Sequence, residues 1–516
     1  MKESSLKRLF RFVLAHWPFL LLSTLAAFFF VIFNSASIWI TATMINNILI
    51  DFNEMLVENQ RLSSLSELTM NDRLKLFSNS LLLKDTAIST VSAVCVALIV
   101  VFSAKNISLY IKNITLSIVQ YRLIRDLRNK LYSHFHYLSL SYFNKNKSGE
   151  LTAVLVNDID NMRNSLSIMF QKLFVEPINI IILMSLLFIV STKLALIALL
   201  IIPVSGIIIF GISHSIRRRS ARSQAQLAGM TSMIAETIGS MRIVKAFATK
   251  GFEINRFAKE TQKYYKLMLR RDRLRFVSSP VSETFGATIA ALLLWVGARD
   301  VLVIESISSE DFLRFILLLF SLFQPLKNLT NVVNELQNGL ASADRVFTIM
   351  DIKSDIQDVD NALEVNDLKN TLSFESVSFS YGDEKDKVLN NINFQINKGE
   401  ILALVGPSGA GKSTLVDLIP RFYDTLSGSI KIDGKDIKKL KINSLRSLMG
   451  IVTQETFLFD DSVKANIAYG VENISDDKIK DAAIAANAHE FIKELPDGYN
   501  TITVSYTHLR AHETYR

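Results

Sequence analysis

The most informative stretch of this chain is Gly406-Pro407-Ser408-Gly409-Ala410-Gly411-Lys412-Ser413-Thr414, which fits the pattern G-x-x-x-x-G-K-[ST] of a phosphate-binding loop. The apolar run at residues 401–405 precedes it and predicts a buried parallel strand. Residues 415–419 follow it and predict a helix that Pro420 ends. Because strand, loop and helix are the context that this motif needs, a chance glycine-rich turn is the weaker interpretation.

The residue types in this loop suit a nucleoside triphosphate. Glycines let backbone N–H groups turn toward phosphate oxygens, and the following helix adds partial positive charge at its first residues. We expect Lys412 to reach the β- and γ-phosphates and the Ser413 hydroxyl to hold Mg²⁺. The predicted nucleotide-binding residues of the loop are Gly406, Ser408, Gly409, Ala410, Gly411, Lys412, Ser413 and Thr414.

Composition indicates a membrane region in the same chain. Of the 516 residues, 49% are apolar and 21% are charged, which is typical of a protein with a membrane part. The net charge of +8 could indicate a nucleic-acid partner, but the basic residues lie beside apolar segments, where they indicate membrane topology instead. A single cysteine, Cys95, excludes a disulfide framework, and the first apolar segment is too long for a cleavable signal peptide.

Six apolar segments predict six membrane-spanning helices. The first five are free of Asp, Glu, Lys and Arg, and about 20 residues are needed to cross the hydrocarbon core. The sixth contains Arg314, which is compatible with a helix that lines a polar passage. The segments are residues 12–50, 86–104, 177–192, 194–216, 284–298 and 312–326.

The charges of the connecting segments predict the orientation of these helices. Residues 105–172 contain ten Lys/Arg and four Asp/Glu, residues 217–275 contain fifteen and four, and residues 51–85 contain four and six. The positive-inside rule therefore places the two basic connections and the basic N-terminus in the cytoplasm. After six crossings the phosphate loop is cytoplasmic too, where the nucleotide is available.

The two basic connections have the pattern of helices. Residues 113–137 and 224–275 contain few helix breakers and mix charges with periodic apolar residues, so they predict arms that continue the spans into the cytoplasm. The 25 residues 113–137 would extend about 37 Å beyond the bilayer. Interruptions near residues 144–149 and 239–240 predict a turn at the end of each arm, which either contacts a soluble domain or ends a solvated helix pair.

Further motifs surround the loop in the soluble half. Val377, Phe379 and Tyr381 alternate with serines, as in a half-buried strand. The other segments are Leu389-Asn390-Asn391-Ile392-Asn393-Phe394, Leu426-Ser427-Gly428-Ser429-Ile430, Asp433-Gly434, and Gly450-Ile451-Val452-Thr453 followed by Gln454. With the loop, they resemble the ATP-binding cassette of ABC transporters. Six spans before one cassette narrow the resemblance to half-transporter exporters, the group of the lipid A flippases and bacterial multidrug exporters, and residues 140–143, 148–151 and 242–247 resemble their intracellular loops.

The resemblance implies roles that the phosphate-loop motif does not cover. Tyr381 resembles the aromatic residue that stacks on adenine, although by itself it would be an ordinary strand aromatic. Gln454 resembles the glutamine that binds Mg²⁺ or its water and reports the γ-phosphate to the membrane arms. The implied catalytic residues are therefore Lys412 and Gln454, the implied metal ligands are Ser413 and Gln454, and the implied cofactors are ATP and Mg²⁺.

The resemblance also implies how the chain is divided. An all-α transmembrane domain with six spans and long cytoplasmic extensions is expected at residues 1–340, a linker at 341–370, and an α/β P-loop ATP-binding cassette at 371–503. The family's cassette continues past Thr501 with a signature loop, an acidic strand end and a switch histidine, so the cassette is expected to be truncated. Residues 504–516 resemble a translated sequencing adapter and are expected to be non-native, which leaves His508 and His512 without a role.

We therefore expect the intact parent, though not the chain as written, to be an ATP-hydrolysing translocase of the bacterial inner membrane. As a homodimer, or with a homologous half-transporter, it would move a lipid or an amphipathic drug out of the cytoplasmic leaflet. An alternative is a non-hydrolytic or regulatory half of a heterodimeric transporter, which the presence or absence of the expected acidic residue would distinguish. A soluble ATPase with a simple membrane anchor conflicts with six spans and paired arms.

Overall fold

The computed structural model describes residues 4–43, 52–304, 307–329, 332–382, 387–453, 457–471 and 473–503. They divide into two compact units: residues 139–141 and those from Asp355 onward form the second, and the remainder forms the first.

The described residues up to Met350 form fourteen α-helices. Two π-helical turns, Val154–Asp158 and Gln171–Val175, interrupt the path from α7 to α9. The helices are α1 (Ser5–Leu14), α2 (Trp17–Thr43), α3 (Phe52–Ser64), α4 (Met70–Leu82), α5 (Ala87–Tyr137), α6 (Leu140–Lys145), α7 (Ser148–Ala153), α8 (Ile159–Phe170), α9 (Glu176–Val190), α10 (Thr192–Gly239), α11 (Met241–Ala246), α12 (Lys250–Leu302), α13 (Ser309–Asn328) and α14 (Val332–Met350).

Three helical stretches of the described residues are long and apolar enough to cross a membrane: Trp17–Thr43, Ala87–Tyr137 and Ser148–Val190. The first unit is therefore a mostly helical membrane region. The predicted segments 194–216, 284–298 and 312–326 lie within α10, α12 and α13, and α2 begins five residues into the predicted segment 12–50. Ser191 alone separates α9 from α10, and its hydroxyl accepts a hydrogen bond from the Leu194 N–H at 3.4 Å to cap α10.

The predicted arms are continuous with the spans. α5 is 51 residues long, α10 is 48 and α12 is 53, each well beyond the length that a bilayer needs. One break in each arm falls where the sequence predicted it, at residues 146–147 between α6 and α7 and at Ser240 between α10 and α11. The structure adds a second break to each arm, at residues 138–139 and at residues 247–249. Three contacts hold α10 against α12: Arg219 to the Arg270 carbonyl at 3.1 Å, Gln226 to Glu260 at 2.7 Å, and Arg256 to Glu236 at 3.9 Å.

Arg314 occupies a different environment from the one expected of a helix that lines a passage. Its side chain is fully buried, and its guanidinium lies 4.1 Å from the ring centroid of Trp39. It donates to Asp311 at 3.0 Å, to Thr43 at 2.9 Å and to Glu310. Paired carboxylates compensate for the desolvation of the guanidinium, so within this chain Arg314 joins helices and faces no open passage.

The second unit combines a small antiparallel sheet with short helices. The strands β1 (Thr371–Phe379), β2 (Leu389–Asn397), β3 (Ser427–Ile432) and β4 (Lys435–Asp436) form a sheet of order β2-β1-β3-β4, and β5 (Asp461–Ser462) pairs with β6 (Ile502–Thr503). Its helices are α15 (Lys412–Leu418), α16 (Ile442–Ser447), α17 (Val463–Ile467), α18 (Asp476–Ala485) and α19 (His489–Lys493). Phe374, Val377 and Phe379 of β1 form a core with Leu415 and Leu418 of α15.

The prediction of a buried parallel strand at residues 401–405 is wrong for this structure. These residues are not in a strand, and Ile401 and Val405 are 99% and 93% exposed. The strand-like segment 450–453 is also irregular, and Val452 is 93% exposed. A parallel strand is stable only when neighbouring strands satisfy its N–H and C=O groups, and no described strand pairs with either segment.

The predicted alternation around Tyr381 is also interrupted. Ser376 has a φ of +51°, and the pairing of β1 with β3 shifts between Glu375 and Ser378. This bulge leaves Val377, Ser378 and Phe379 all buried, and the strand ends before Tyr381. On the paired strand β3, Gly428 lies against this bulge, and a Cβ there would be 2.3 Å from the Ser376 carbonyl oxygen.

Candidate functional site

The phosphate loop is formed by two left-handed glycines ahead of α15. Gly409 and Gly411 have φ values of +83° and +84°, which residues with a side chain rarely adopt. The Ala410 N–H donates to the Pro407 carbonyl at 3.2 Å and closes the turn between them. At Gly411 a Cβ would also lie 2.8 Å from the Leu389 side chain and 3.2 Å from the Val388 carbonyl oxygen. Gly411 is therefore required both by its backbone conformation and by its close approach to the start of β2.

Lys412 folds back over the loop that precedes it. Its ammonium group donates to the carbonyl oxygens of Gly406 at 2.8 Å and Pro407 at 2.9 Å. Within the described residues no backbone carbonyl accepts a hydrogen bond from the N–H groups of Gly409, Gly411 or Lys412. Backbone N–H groups without a carbonyl partner and a lysine ammonium in the same loop are donors that suit an anion, so the loop fits the phosphates that its sequence predicts.

The two hydroxyl residues after Lys412 lie in different environments. Ser413 is exposed, and its hydroxyl makes no hydrogen bond to another described residue, so it is accessible to a metal ion. Thr414 is buried, and its Oγ1 lies 2.9 Å from the hydroxyl of Tyr381. Ser408 is exposed. The structure thus separates an accessible hydroxyl from one that connects α15 to the segment that follows β1.

Tyr381 is brought next to the loop by tertiary structure. Its ring packs edge-on against Phe379 and Tyr423, with centroid distances of 4.9 and 5.3 Å. The residue is still 36% exposed, so part of its ring is accessible to a ligand. Of the predicted site residues, the structure brings together Tyr381 and the loop from Gly406 to Thr414, whereas Gln454 lies outside the described residues.

Two arginines that the sequence did not single out hold the end of α15. Arg446 donates to the carbonyl oxygens of Pro420 at 2.9 Å and Arg421 at 3.1 Å. Arg421 has a φ of +55°, and its guanidinium donates to Asp424 at 2.9 Å. These contacts hold the turn that follows α15, because Arg446 pairs the carbonyl oxygens of two residues just beyond the helix. A basic residue directly after the helix was the only local signal, because Arg446 is 25 positions away from Arg421 in the chain.

Comparison with known proteins finds a matching family for the helical region and another for the nucleotide-binding region. Residues 20–326 match the family of the ABC transporter transmembrane region, and residues 389–510 match the ABC transporter family. The chain is 39% identical to the ATP-dependent lipid A-core flippase of Desulfotalea psychrophila over 404 residues, which cover 78% of this chain and 70% of that protein. It is 39% identical to the flippase of the same name from Syntrophus aciditrophicus, over 79% of this chain and 67% of that protein.

A Bacillus subtilis protein with a provisional name as a multidrug export ATP-binding/permease protein is 31% identical over 81% of this chain and 72% of its own length. The similarities thus span the helical membrane region and the nucleotide-binding unit together. One family model covers residues 20–326 of this chain, and two relatives at 39% identity align with about four fifths of the chain. The chain therefore belongs to the ABC transporter family.

Proposed function

We propose that this chain is one half of an ATP-driven exporter that moves a lipid or an amphipathic drug out of the cytoplasmic leaflet of a bacterial inner membrane. The observation that carries the proposal is the phosphate loop, in which Lys412 bonds to the Gly406 and Pro407 carbonyl oxygens, in a chain with long apolar helices. The substrate class is taken from the names of the relatives, which are lipid A-core flippases and a multidrug export protein.

The nucleotide would be held by residues that already lie together. The N–H groups of the loop would donate to phosphate oxygens, and Lys412 would exchange its two carbonyl partners for the β- and γ-phosphates. Tyr381 would stack on adenine with the accessible part of its ring. Ser413 and Gln454 would be the protein ligands of Mg²⁺, which when bound neutralises charge on the phosphates during phosphoryl transfer.

We place six spans in the membrane, with the N-terminus and the nucleotide-binding unit in the cytoplasm. Support comes from the three apolar helices, from the coincidence of the other predicted spans with α10, α12 and α13, and from the basic residues of the two arms. In this proposal the transmembrane domain covers residues 1–340 and the linker residues 341–370. The cassette begins at residue 371, the first residue of β1.

The exposed arm formed by α10, α11 and α12 supports a dimer. Outside the predicted spans this arm has large apolar side chains in solvent, which is unusual for a surface without a partner. They include Ile238, Ile243, Phe247, Phe252 and Ile254, each between 56% and 76% exposed. A second copy of this chain, or a homologous half-transporter, would cover them.

Transport would then follow from alternating access. Two cassettes that associate around ATP would stabilise one orientation of the membrane helices, and release of the hydrolysis products would restore the other. The long arms would transmit this change, because a helix of about 25 residues beyond the bilayer moves as one rigid element.

The test is Mg²⁺-dependent ATP hydrolysis by the full-length protein in nanodiscs. Lys412→Ala should abolish turnover, because it removes the cation that faces the β- and γ-phosphates. Lys435→Ala is the matched control, since Lys435 is exposed in β4 at the edge of the sheet. Undiminished hydrolysis in Lys412→Ala would refute the proposal. Activity of the protein purified alone supports the homodimer, and activity that requires a co-expressed second half supports the heterodimer.

A further inference from the structure

Helix α4 has the reverse of the usual polarity of a surface helix. Its buried positions are mostly polar and include Asn71, Lys75, Ser78 and Asn79. Its exposed positions include Met70, Phe77 and Leu81, which are 58%, 66% and 60% exposed. The spacings of seven and four residues place these three side chains on one face of the helix. A helix on a soluble surface would have its apolar face inward and its polar face in water.

The polar face of α4 is tied to the start of α13. The Lys75 ammonium donates to one Asp311 carboxylate oxygen at 2.7 Å, and the Asn71 amide donates to the other at 3.1 Å. Arg314 donates to the same carboxylate at 3.0 Å and to Thr43, at the end of α2, at 2.9 Å. These buried charge-assisted bonds determine which face of α4 points away from the protein.

Side-chain hydrogen bonds also fix the residue at which α4 begins. Thr69 and Asp72 form a reciprocal capping box, in which the Thr69 hydroxyl accepts from the Asp72 N–H and the Asp72 carboxylate accepts from the Thr69 N–H. The orientation of the apolar face is therefore built into the fold at the helix start and along its polar side.

The exposed face of α4 lies next to the apolar surface of a spanning helix. Leu82, the last residue of α4, packs on Val94 of α5. Between them, the Thr90 hydroxyl accepts from the Lys84 N–H at 2.9 Å and donates to the Lys84 carbonyl at 3.2 Å. The first turn of α5 then exposes Ile88 at 82%.

The apolar surface continues along α5. Val96 and Ile99 are 60% and 67% exposed, and only 11% of the most apolar window of this helix is buried. In a membrane-spanning helix such a surface is covered by lipid, so the exposed face of α4 begins where the bilayer surface ends.

We propose that α4 lies in the interface of the outer leaflet, with Met70, Phe77 and Leu81 among the upper acyl chains and its polar face on the protein. This inference rests on the proposed topology, which places residues 51–85 outside the cytoplasm. Arg73 and Lys84, both exposed, flank the apolar face and suit the phosphate groups of lipid headgroups. The helix would hold lipids at the point where the outer ends of α2, α5 and α13 meet.

Site-directed spin labelling measures the depth of this face directly. In a cysteine-free background of the full-length protein that includes Cys95→Ser, Phe77→Cys and Leu81→Cys are labelled with a nitroxide in nanodiscs of phosphatidylethanolamine and phosphatidylglycerol. Collision rates with oxygen, which concentrates in the bilayer, and with a nickel chelate, which stays in water, give the depth of each label. Glu67→Cys, in the exposed turn between α3 and α4, is the aqueous control, and Ile99→Cys is the bilayer reference.

The oxygen-to-nickel ratio at positions 77 and 81 should be several-fold higher than at position 67 and should approach the ratio at position 99. A ratio equal to that at position 67 would overturn the proposal, because the helix would then face water. Low accessibility to both reagents, with spin–spin coupling that disappears on dilution with unlabelled protein, would also overturn it in favour of a second copy. Labelling of position 67 by an impermeant maleimide in intact cells tests the topology, and ATP hydrolysis by the same samples tests the proposed function separately.

Discussion

Replacing Gly411 by alanine tests whether the shape of the phosphate loop determines nucleotide binding. The φ of +84° at this position is unfavourable for a residue with a Cβ by roughly 1–2 kcal/mol. The new Cβ would also lie 2.8 Å from a Leu389 methyl group and 3.2 Å from the Val388 carbonyl oxygen. The leucine side chain can rotate, but the carbonyl belongs to the chain entering β2, so relieving this overlap adds about 1–3 kcal/mol.

The chain offers two controls for this variant. Gly409 has nearly the same φ, +83°, but a Cβ there would meet no atom within 4 Å, so Gly409→Ala carries the backbone penalty alone. Gly434, with a φ of +77° and equally open space, lies in the turn between β3 and β4 and reports the same penalty away from the loop.

The expected result is a graded loss of affinity for MgATP. Since 1.4 kcal/mol corresponds to a factor of ten, Gly409→Ala should weaken binding by roughly 5- to 30-fold and Gly411→Ala by about 30-fold or more. Gly434→Ala should leave affinity unchanged and lower only the melting temperature. Titration of the purified protein with a fluorescent ATP analogue measures all three. Equal affinities for Gly411→Ala and Gly434→Ala would refute the reasoning, because steric fit at Gly411 would then have no bearing on the loop.

Three further predictions concern contacts within single units. Tyr381→Phe removes the hydroxyl that bonds α15 and should lower stability by about 0.5–1.5 kcal/mol in chemical unfolding while retaining nucleotide affinity, whereas Tyr381→Ala should lose affinity as well. Burial raises the pKa of Asp158, but its hydrogen bonds with Arg345 and a serine hydroxyl outweigh burial, so the folded-state pKa lies below the ordinary value. The stability that this carboxylate contributes is fully present above the ordinary aspartate pKa and is lost as pH falls through the lowered pKa. In thermal unfolding, Asp158→Asn should therefore lose less stability on acidification than the unsubstituted protein. Identical pH profiles for the two proteins would contradict this role of Asp158. Gly339→Ala places a Cβ 2.2 Å from Ser165 and should lower the melting temperature, with partial recovery in the double variant with Ser165→Gly; no recovery would exclude this contact as the cause.

The helical half shows how far local patterns reach. Apolar runs and the scarcity of helix breakers predict α2, α5 and the arms, because a helix satisfies its own backbone groups within one segment. The same reasoning places the breaks near residues 146 and 240. It could not predict that Arg314 is buried against Trp39, since the carboxylates and hydroxyl that compensate for its burial come from α2 and from the preceding turn of α13.

The nucleotide-binding half shows the limit of those patterns. The apolar run at residues 401–405 satisfies every local criterion for a strand, yet it is exposed and unpaired among the described residues. Strand formation depends on hydrogen bonds with segments distant in sequence. An apolar run therefore has a propensity for the strand conformation but does not by itself determine whether a neighbouring strand pairs with it.

The amino-acid sequence by itself determined the phosphate loop, the helix after it and the long helices of the membrane region, because each depends on residues within a few positions of one another. Only the tertiary structure decided that Tyr381 bonds to Thr414, that the backbone of Gly411 lies too close to the start of β2 for a Cβ, and that α4 turns its polar face inward onto Asp311. The physical reason is common to all three: each is a contact between segments separated by about 20 to more than 200 residues, and only the folded chain brings such segments within hydrogen-bond or van der Waals distance.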